Sequence, residues 1–338
     1  MVKAILQNNS IKVIAEVANA HQGSVKKLYE LIDICIDLEV DVIKLQIFKY
    51  DKIATKDYYQ YHEYKELFFN NSVWKEVISY IKKNSQSKIA IDILDEYSFE
   101  LLNQSLNKID YVKITPSIFS ETAFVKKIID LCDNILIGIG GLSTKQVEKT
   151  LKYYNFKNKH IVLMCGFQGF PTDIRDLRLE QIRYWSEKGY LVGYADHVDA
   201  DDEDLSIQVP IYAIMQGASY IEKHITIERH LKGHDYFSAL EKDSFRQMLM
   251  KINVAQIAMG YKSEGVTNNE ISYKKLFRYA VAKNYIKADS TLKRNDISFK
   301  RTGVEGLTEQ ELTKLEGRIF LSDLDKDEMI TLHNLKDK

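Results

Sequence analysis

Short apolar runs with β-type composition alternate along this chain with amphipathic stretches of helical period, the signature of parallel strands joined by crossover helices. The runs Lys12–Glu16, Asp41–Gln46, Lys88–Ile93, Tyr111–Ile114, Ile135–Gly138, Ile161–Cys165, Leu191–Tyr194 and Ala218–Lys223 read as strands. Helical patterns follow them near Val25–Leu38, Val73–Asn84, Tyr97–Leu106, Thr122–Cys132, Thr144–Tyr154, Asp176–Lys188, Leu205–Gln216 and Lys242–Met259. Eight such units within about 260 residues predict a closed (β/α)8 TIM barrel, with an open doubly wound sheet as the alternative. After Gly260 the pattern changes. Tyr261–Lys275 is polar and reads as a linker, and residues 276–338 carry only short segments, Arg278–Ala282, Asp289–Leu292, Ile297–Lys300, Thr308–Leu315 and Arg318–Leu321. This organisation is a barrel over 1–260, a linker over 261–275 and a small C-terminal domain over 276–338.

Composition narrows the partners. The 338 residues are 45% hydrophobic and 28% charged with a net charge of -1, which lacks the basic excess that nucleic acid or an anionic membrane favours. Cys35, Cys132 and Cys165 are an odd, widely spaced set inside apolar runs, so no disulfide framework is expected. No long apolar segment suggests a signal peptide or a membrane span, and a soluble cytoplasmic protein is expected.

The candidate chemistry sits where strands end. His197 closes Gly193-Tyr194-Ala195-Asp196-His197, and His224 closes Tyr220-Ile221-Glu222-Lys223-His224. Barrel enzymes place their active sites at the C-terminal ends of strands, and two neutral imidazoles on neighbouring strands can share a divalent metal. Glu16, Lys44, Gln46 and Lys113 interrupt apolar strands in the same way. Charges inside a barrel need partners, so this set is either a structural ion-pair network or a binding site. Lysines beside a metal suit an anionic substrate whose carbonyl the metal polarises.

Ordered motifs then carry a resemblance. Ile14-Ala15-Glu16 with His21-Gln22-Gly23, Val42-Ile43-Lys44-Leu45-Gln46, Val112-Lys113-Ile114, Phe170-Pro171-Thr172 and the two histidine motifs resemble, in this order, the sialic acid synthase family. That family condenses phosphoenolpyruvate with an N-acylated amino sugar to a nine-carbon 2-keto acid. The resemblance extends through Val281-Ala282 and Phe299-Lys300-Arg301-Thr302-Gly303 to the family's C-terminal antifreeze-like (SAF) domain. An antifreeze activity is the naive alternative for that domain. The resemblance implies metal ligation by His197 and His224, with Mn2+ expected and Mg2+ possible. It places Glu16 as a catalytic carboxylate and Lys44 and Lys113 against phosphoenolpyruvate, with Gln46 matching as a further substrate-binding residue. Asp235 keeps the aspartate of the family's Gly-Pro-Asp, and Gln168 stands near the family's substrate-side polar group. It further implies a domain-swapped homodimer in which Arg301 reaches the partner's active site.

The departures shape the expectation as much. Ile114-Thr115-Pro116-Ser117-Ile118 stands where the family reads Ile-Gly-Ser-Gly-Glu, so Pro116 replaces a phosphate-side serine and Ile118 the glutamate that holds the amino sugar. Gly138-Ile139-Gly140-Gly141 replaces Ser-Thr-Gly-Met, and Ala195 replaces a serine. Thr115, Ser117 or the backbone N–H groups of Gly140 and Gly141 are candidates to compensate. Ile118 is expected to form an apolar wall, with an acceptor other than N-acetylmannosamine. The expected activity is a synthase making a nonulosonic-type 2-keto-3-deoxy sugar acid for surface polysaccharide. The alternatives are a synthase of another 3-deoxy-2-keto sugar acid and a catalytically silent sugar-binding protein.

Overall fold

The computed structural model describes residues 11–154, 156–169, 171–259 and 265–337. Two compact units divide at 260/261, Met1–Gly260 and Tyr261–Lys338. In the first, eight parallel strands close into a barrel in sequence order: β1 Lys12–Glu16, β2 Val42–Ile47, β3 Lys88–Ile93, β4 Tyr111–Ile114, β5 Asn134–Gly138, β6 His160–Cys165, β7 Leu191–Asp196 and β8 Tyr220–His224. The open-sheet alternative is thereby excluded, since β1 pairs with both β2 and β8.

Strand alternation sorts side chains between two layers. Outward-facing Val13, Ile43, Ile91, Leu163, Val192 and Ile221 join the helices in the large apolar core. Inward-facing Ile14, Val42, Ala90, Leu136, Val162 and Tyr220 form a separate apolar plug inside the barrel. One pleat further toward the strand ends, the inward positions of β1 to β4 and of β8 turn charged: Glu16, Lys44, Asp92, Lys113 and Glu222. Local signals fix the helices. Ser24 accepts a hydrogen bond from the Lys27 N–H at 3.3 Å, and capping boxes at Asp95/Ser98 and Ser143/Gln146 start two others.

Two predicted boundaries move for local reasons. The helix expected over Asp176–Lys188 forms only at Glu180–Glu187, because a 3-10 turn capped by Asp173 precedes it and Arg178 takes a left-handed φ of 48°. The strand expected from Ala218 starts at Tyr220, after Gly217 turns the chain at φ 110°.

In the second unit, Arg278–Ala282 (β9) pairs antiparallel with Ile297–Arg301 (β10) over a core that includes Ala280, Leu292, Phe320 and Ile330. The strand expected over Asp289–Leu292 is reduced to a single bridge from Thr291 to Ile319, since Asp289 has φ 61°. Of the expected linker Tyr261–Lys275, residues 261–264, like Gly260, lie outside the described residues. The remainder contains a helix, Asn268–Tyr273, capped by Thr267. No helix among the described residues is long and apolar enough to cross a membrane.

One charged pair lies outside the barrel wall. Lys223 points away from the interior, and its Nζ donates to Asp196 Oδ2 at 2.5 Å and to Ser206 Oγ at 2.7 Å; both charged side chains are fully buried. Removing one partner leaves the other charge buried and uncompensated. Lys223→Met is expected to destabilise the fold by about 3–5 kcal/mol. Lys12→Met, which breaks the half-exposed Lys12–Asp41 pair, should cost less than about 1 kcal/mol. Urea titration of both variants checks the contrast.

Candidate active site

The charged layer of the barrel interior is built from neighbouring strands in register: Glu16 beside Lys44, Gln46 beside Asp92, Asp92 beside Lys113, and Glu16 beside His224. At its centre stands Glu222 of β8. Its Oε1 accepts from Lys113 Nζ at 2.6 Å and from Lys44 Nζ at 2.9 Å. Lys44 also donates to Asp92 at 3.2 Å and pairs with Glu16. Glu16 Oε1 in turn accepts the N–H of Ala18 at 2.9 Å, which pins the carboxylate to the turn after its own strand. Glu16, Lys44 and Glu222 are 1–3% exposed and Lys113 9%, so the layer is shielded from bulk water.

Burial sets the protonation states against contact with opposite charge. Burial alone would raise the Glu222 carboxyl, but Lys113 and Lys44 outweigh it and hold it well below the usual carboxylate range. Burial opposes the charged form of Lys113 as well, yet Glu222 and Asp92 raise it above the ordinary lysine value. At Lys44 burial prevails over Asp92 and Glu222 and lowers it.

His197 and His224 face each other at the mouth with ring centroids 5.3 Å apart. Burial pushes His197 down to about 4, and burial with the neighbouring His197 holds His224 well below the usual histidine value. Both are therefore neutral at pH 7. His197 Nδ1 lies 3.1 Å from the Ala195 carbonyl. A carbonyl only accepts, so Nδ1 carries the proton and Nε2 the lone pair. His224 Nδ1 and Glu222 Oε2 are buried without a hydrogen-bond partner. Two neutral imidazoles at this spacing, one with an orphaned nitrogen, fit two adjacent ligands of one divalent cation. Among the described residues no three His, Cys, Asp or Glu side chains group to hold a metal by themselves. Remaining coordination would thus fall to water and substrate.

Glu16, Lys44, Gln46, Lys113, Gln168, His197 and His224 all line one cavity of about 170 Å³. The structure adds Asp92 and Glu222, which were not singled out from the sequence. The signal was there: Asp92 and Glu222 share strand parity with Ala90 and His224, so both must face inward. Asp235 is not brought into this cavity. It sits beside a second concavity with Gln60, Glu63 and His234, and its Oδ2 accepts the Asn19 N–H at 3.0 Å. Burial raises its carboxyl. Arg301 belongs to the second unit, exposed at the end of β10, with its Nε donating to the Leu276 carbonyl at 3.2 Å. Phe170 lies outside the described residues; Pro171 and Thr172 follow Gln168 on the loop after β6.

The departures have a steric logic. A Cβ at Gly138 would stand 3.2 Å from Pro116 Cδ, so glycine on β5 and proline after β4 accommodate each other. A Cβ at Gly140 would meet the Gly166 carbonyl at 2.1 Å, and Gly166, at φ 95°, packs against the Ala195 carbonyl. Gly140 thus keeps the family's glycine because the backbone leaves no room for a side chain there. Thr115 lines the cavity, with its hydroxyl 2.7 Å from that of Ser117. Ile118 differs from expectation: it is 3% exposed and packed in the core outside the barrel, so it forms no cavity wall. The loop lacks the carboxylate without substituting an apolar surface.

Comparison with known proteins agrees with this geometry. The NeuB family model matches residues 31–264. The N,N'-diacetyllegionaminic acid synthase of Campylobacter jejuni is 26% identical over 94% of this chain and 98% of its own length. Two crystal structures share the fold. A Chromobacterium violaceum chain assigned as spore coat polysaccharide biosynthesis protein E superposes with TM-score 0.82 at 22% identity, covering 97% of this chain and 100% of that one. The N-acetylneuraminic acid synthetase of Leptospira borgpetersenii gives TM-score 0.71 at 20% identity, covering 79% and 92%.

The neutral histidines have a consequence for stability. A buried base with a lowered pKa binds its proton less well folded than unfolded, so stability is lost as pH falls from about 6.5 toward 4. His21, pushed down to about 4 chiefly by burial, behaves as His197 does. Each should cost on the order of 2 kcal/mol between pH 7 and pH 5. His21 stacks on Phe69 at 4.7 Å. His21→Phe is therefore expected to keep the packing and to lose about 2 kcal/mol less than wild type over that interval in urea unfolding.

Proposed function

This chain belongs to the NeuB family and is a carbon–carbon bond-forming synthase, and from that premise we propose that it condenses phosphoenolpyruvate with an open-chain sugar aldehyde. One observation carries the reading: two buried ammonium groups, Lys44 and Lys113, converge on a single carboxylate oxygen next to a pair of neutral imidazoles. A dianionic phosphate or a carboxylate placed at that convergence meets two fixed positive charges in a low-dielectric site.

The reaction joins C3 of the enol to the aldehyde carbon, whose oxygen takes a proton. Water then adds at C2, the bond from C2 to the phosphate oxygen breaks, and a 2-keto-3-deoxy sugar acid and inorganic phosphate result. Lys44 and Lys113 bind the anionic groups of phosphoenolpyruvate, and Gln46 and Gln168 supply neutral hydrogen bonds at the same wall. Glu16, in register with His224, is the carboxylate placed to move the sugar-side or water proton. Held by His197 and His224, a divalent ion, Mn2+ or Mg2+, would polarise the aldehyde oxygen and offset the excess of three carboxylates over two ammonium groups in the layer.

The acceptor is a modified hexosamine other than N-acetylmannosamine. The support is the loop after β4, where Ile118 stands at the position of the family's glutamate and turns into the core. Asp235 belongs to the acceptor side. The smaller unit is the antifreeze-like domain, exchanged in a homodimer so that Arg301 serves the partner's site. Consistent with this, the Arg301 guanidinium has no acidic partner among the described residues.

Phosphate release from phosphoenolpyruvate, measured with a panel of hexosamines and simple aldoses with and without Mn2+, tests the reading. A modified hexosamine should turn over faster than N-acetylmannosamine. Turnover only of a simple aldose would favour another 3-deoxy-2-keto sugar acid, and none at all a silent protein. His197→Ala and His224→Ala should each abolish turnover and Mn2+ binding in calorimetry while leaving the melting temperature within a few degrees. Lys113→Met should raise the Michaelis constant for phosphoenolpyruvate by about 10-fold or more. Arg301→Ala and His224→Ala, inactive alone, should recover activity when mixed and allowed to exchange subunits. No recovery after demonstrated exchange places Arg301 outside the partner's site.

A further inference from the structure

The turn after β1 carries a side chain that no part of the chemistry above uses. Asn19 Nδ2 donates to Gln46 Oε1 at 2.9 Å, and the Asn19 backbone N–H donates to Asp235 Oδ2 at 3.0 Å. Its carbonyl accepts the Gln22 N–H at 2.9 Å, so the residue is anchored through its backbone on both sides. Asn19 Oδ1 is buried with no partner. An aliphatic side chain would fill this space without a stranded carbonyl oxygen, and native structures seldom leave such groups unpaired. The amide is therefore kept for what its nitrogen does.

What it does follows from the polarity of the chain it belongs to. Gln46 Nε2 faces Asp92 Oδ2 at 3.4 Å, and Asp92 accepts from Lys44. An ionised carboxylate only accepts, so the Gln46 amide must present its nitrogen on the Asp92 side and its oxygen on the far side. That oxygen needs a donor, and Asn19 is the donor. We infer that Asn19 is a positioning residue that locks the Gln46 amide with its nitrogen toward the bound anion, and that through its backbone it ties this orientation to the acceptor-side carboxylate, Asp235. This rests on the reading that the cavity binds phosphoenolpyruvate. Gln46 lines the cavity with Lys44 and Lys113. With its nitrogen held inward it adds a donor to the two ammonium groups; turned over, it would set a carbonyl oxygen against the substrate's negative charge.

Asn19→Asp is close to isosteric and replaces the donor by an acceptor, so the Gln46 oxygen loses its anchor and faces a carboxylate, and the amide is released from its fixed position. Calorimetric titration of the full chain with phosphoenolpyruvate reads the effect directly. Asn19→Asp is expected to weaken binding about 10-fold, with Gln46→Ala weakening it by a similar factor. The double variant should bind no more weakly than Gln46→Ala alone, because Asn19 acts only through Gln46. Melting temperatures, read in parallel, report any loss of fold. Independent, multiplying effects in the double variant, or wild-type affinity in a folded Asn19→Asp, would overturn the positioning role and leave the phosphoenolpyruvate reading standing. Absence of phosphoenolpyruvate binding by the wild-type chain would overturn both.

Discussion

The barrel interior depends on one carboxylate. Glu222 is buried where an isolated anion would be strongly disfavoured, and it stays ionised because Lys44 and Lys113 both donate to the same oxygen. The acids in turn raise Lys113 above the ordinary lysine value, whereas at Lys44 burial outweighs them. Such a layer gains little stability over an apolar filling, since the desolvation of each charge offsets its attraction. Its value lies in placement: two ammonium groups are held at fixed positions, already stripped of water, before any ligand arrives. Under the proposed function, a substrate anion would take over contacts that Glu222 makes with the two lysines.

The histidines add the opposite property. Their burial keeps them uncharged beside a layer rich in charge, so they contribute lone pairs rather than protons. The cavity thus divides into a charged layer, in which Lys44 and Lys113 stand among Glu16, Asp92 and Glu222, and a neutral mouth formed by the two histidines. Lys44, Lys113 and His224 sit on strands and His197 directly follows β7, which ties their positions to the hydrogen-bonded barrel. The turns after β4 and β5 depart from the family pattern together, because Gly138 leaves room for Pro116. A serine restored at 138 would bring its Cβ to 3.2 Å from Pro116 Cδ, so the proline would have to give way slightly.

By itself the sequence determined the eight βα units, since period-2 and period-3.6 patterns are local and each strand's apolar face is written in its own residues. It also determined the inward position of Glu16, Lys44, Lys113, His197 and His224, because alternation along a strand is a local rule; the same rule extends to Asp92 and Glu222. What only tertiary structure decided was which inward residues meet. Glu222 and Lys113 lie 109 positions apart and share a hydrogen bond through the closure of the barrel. Lys223 faces outward by the same alternation, but its meeting with Asp196 and Ser206 there, the turn of Ile118 into the core and that of Asp235 into a neighbouring concavity come from packing. Loop residues have no fixed period, so the direction of their side chains follows from what the packed strands and helices leave open, and no local pattern records it.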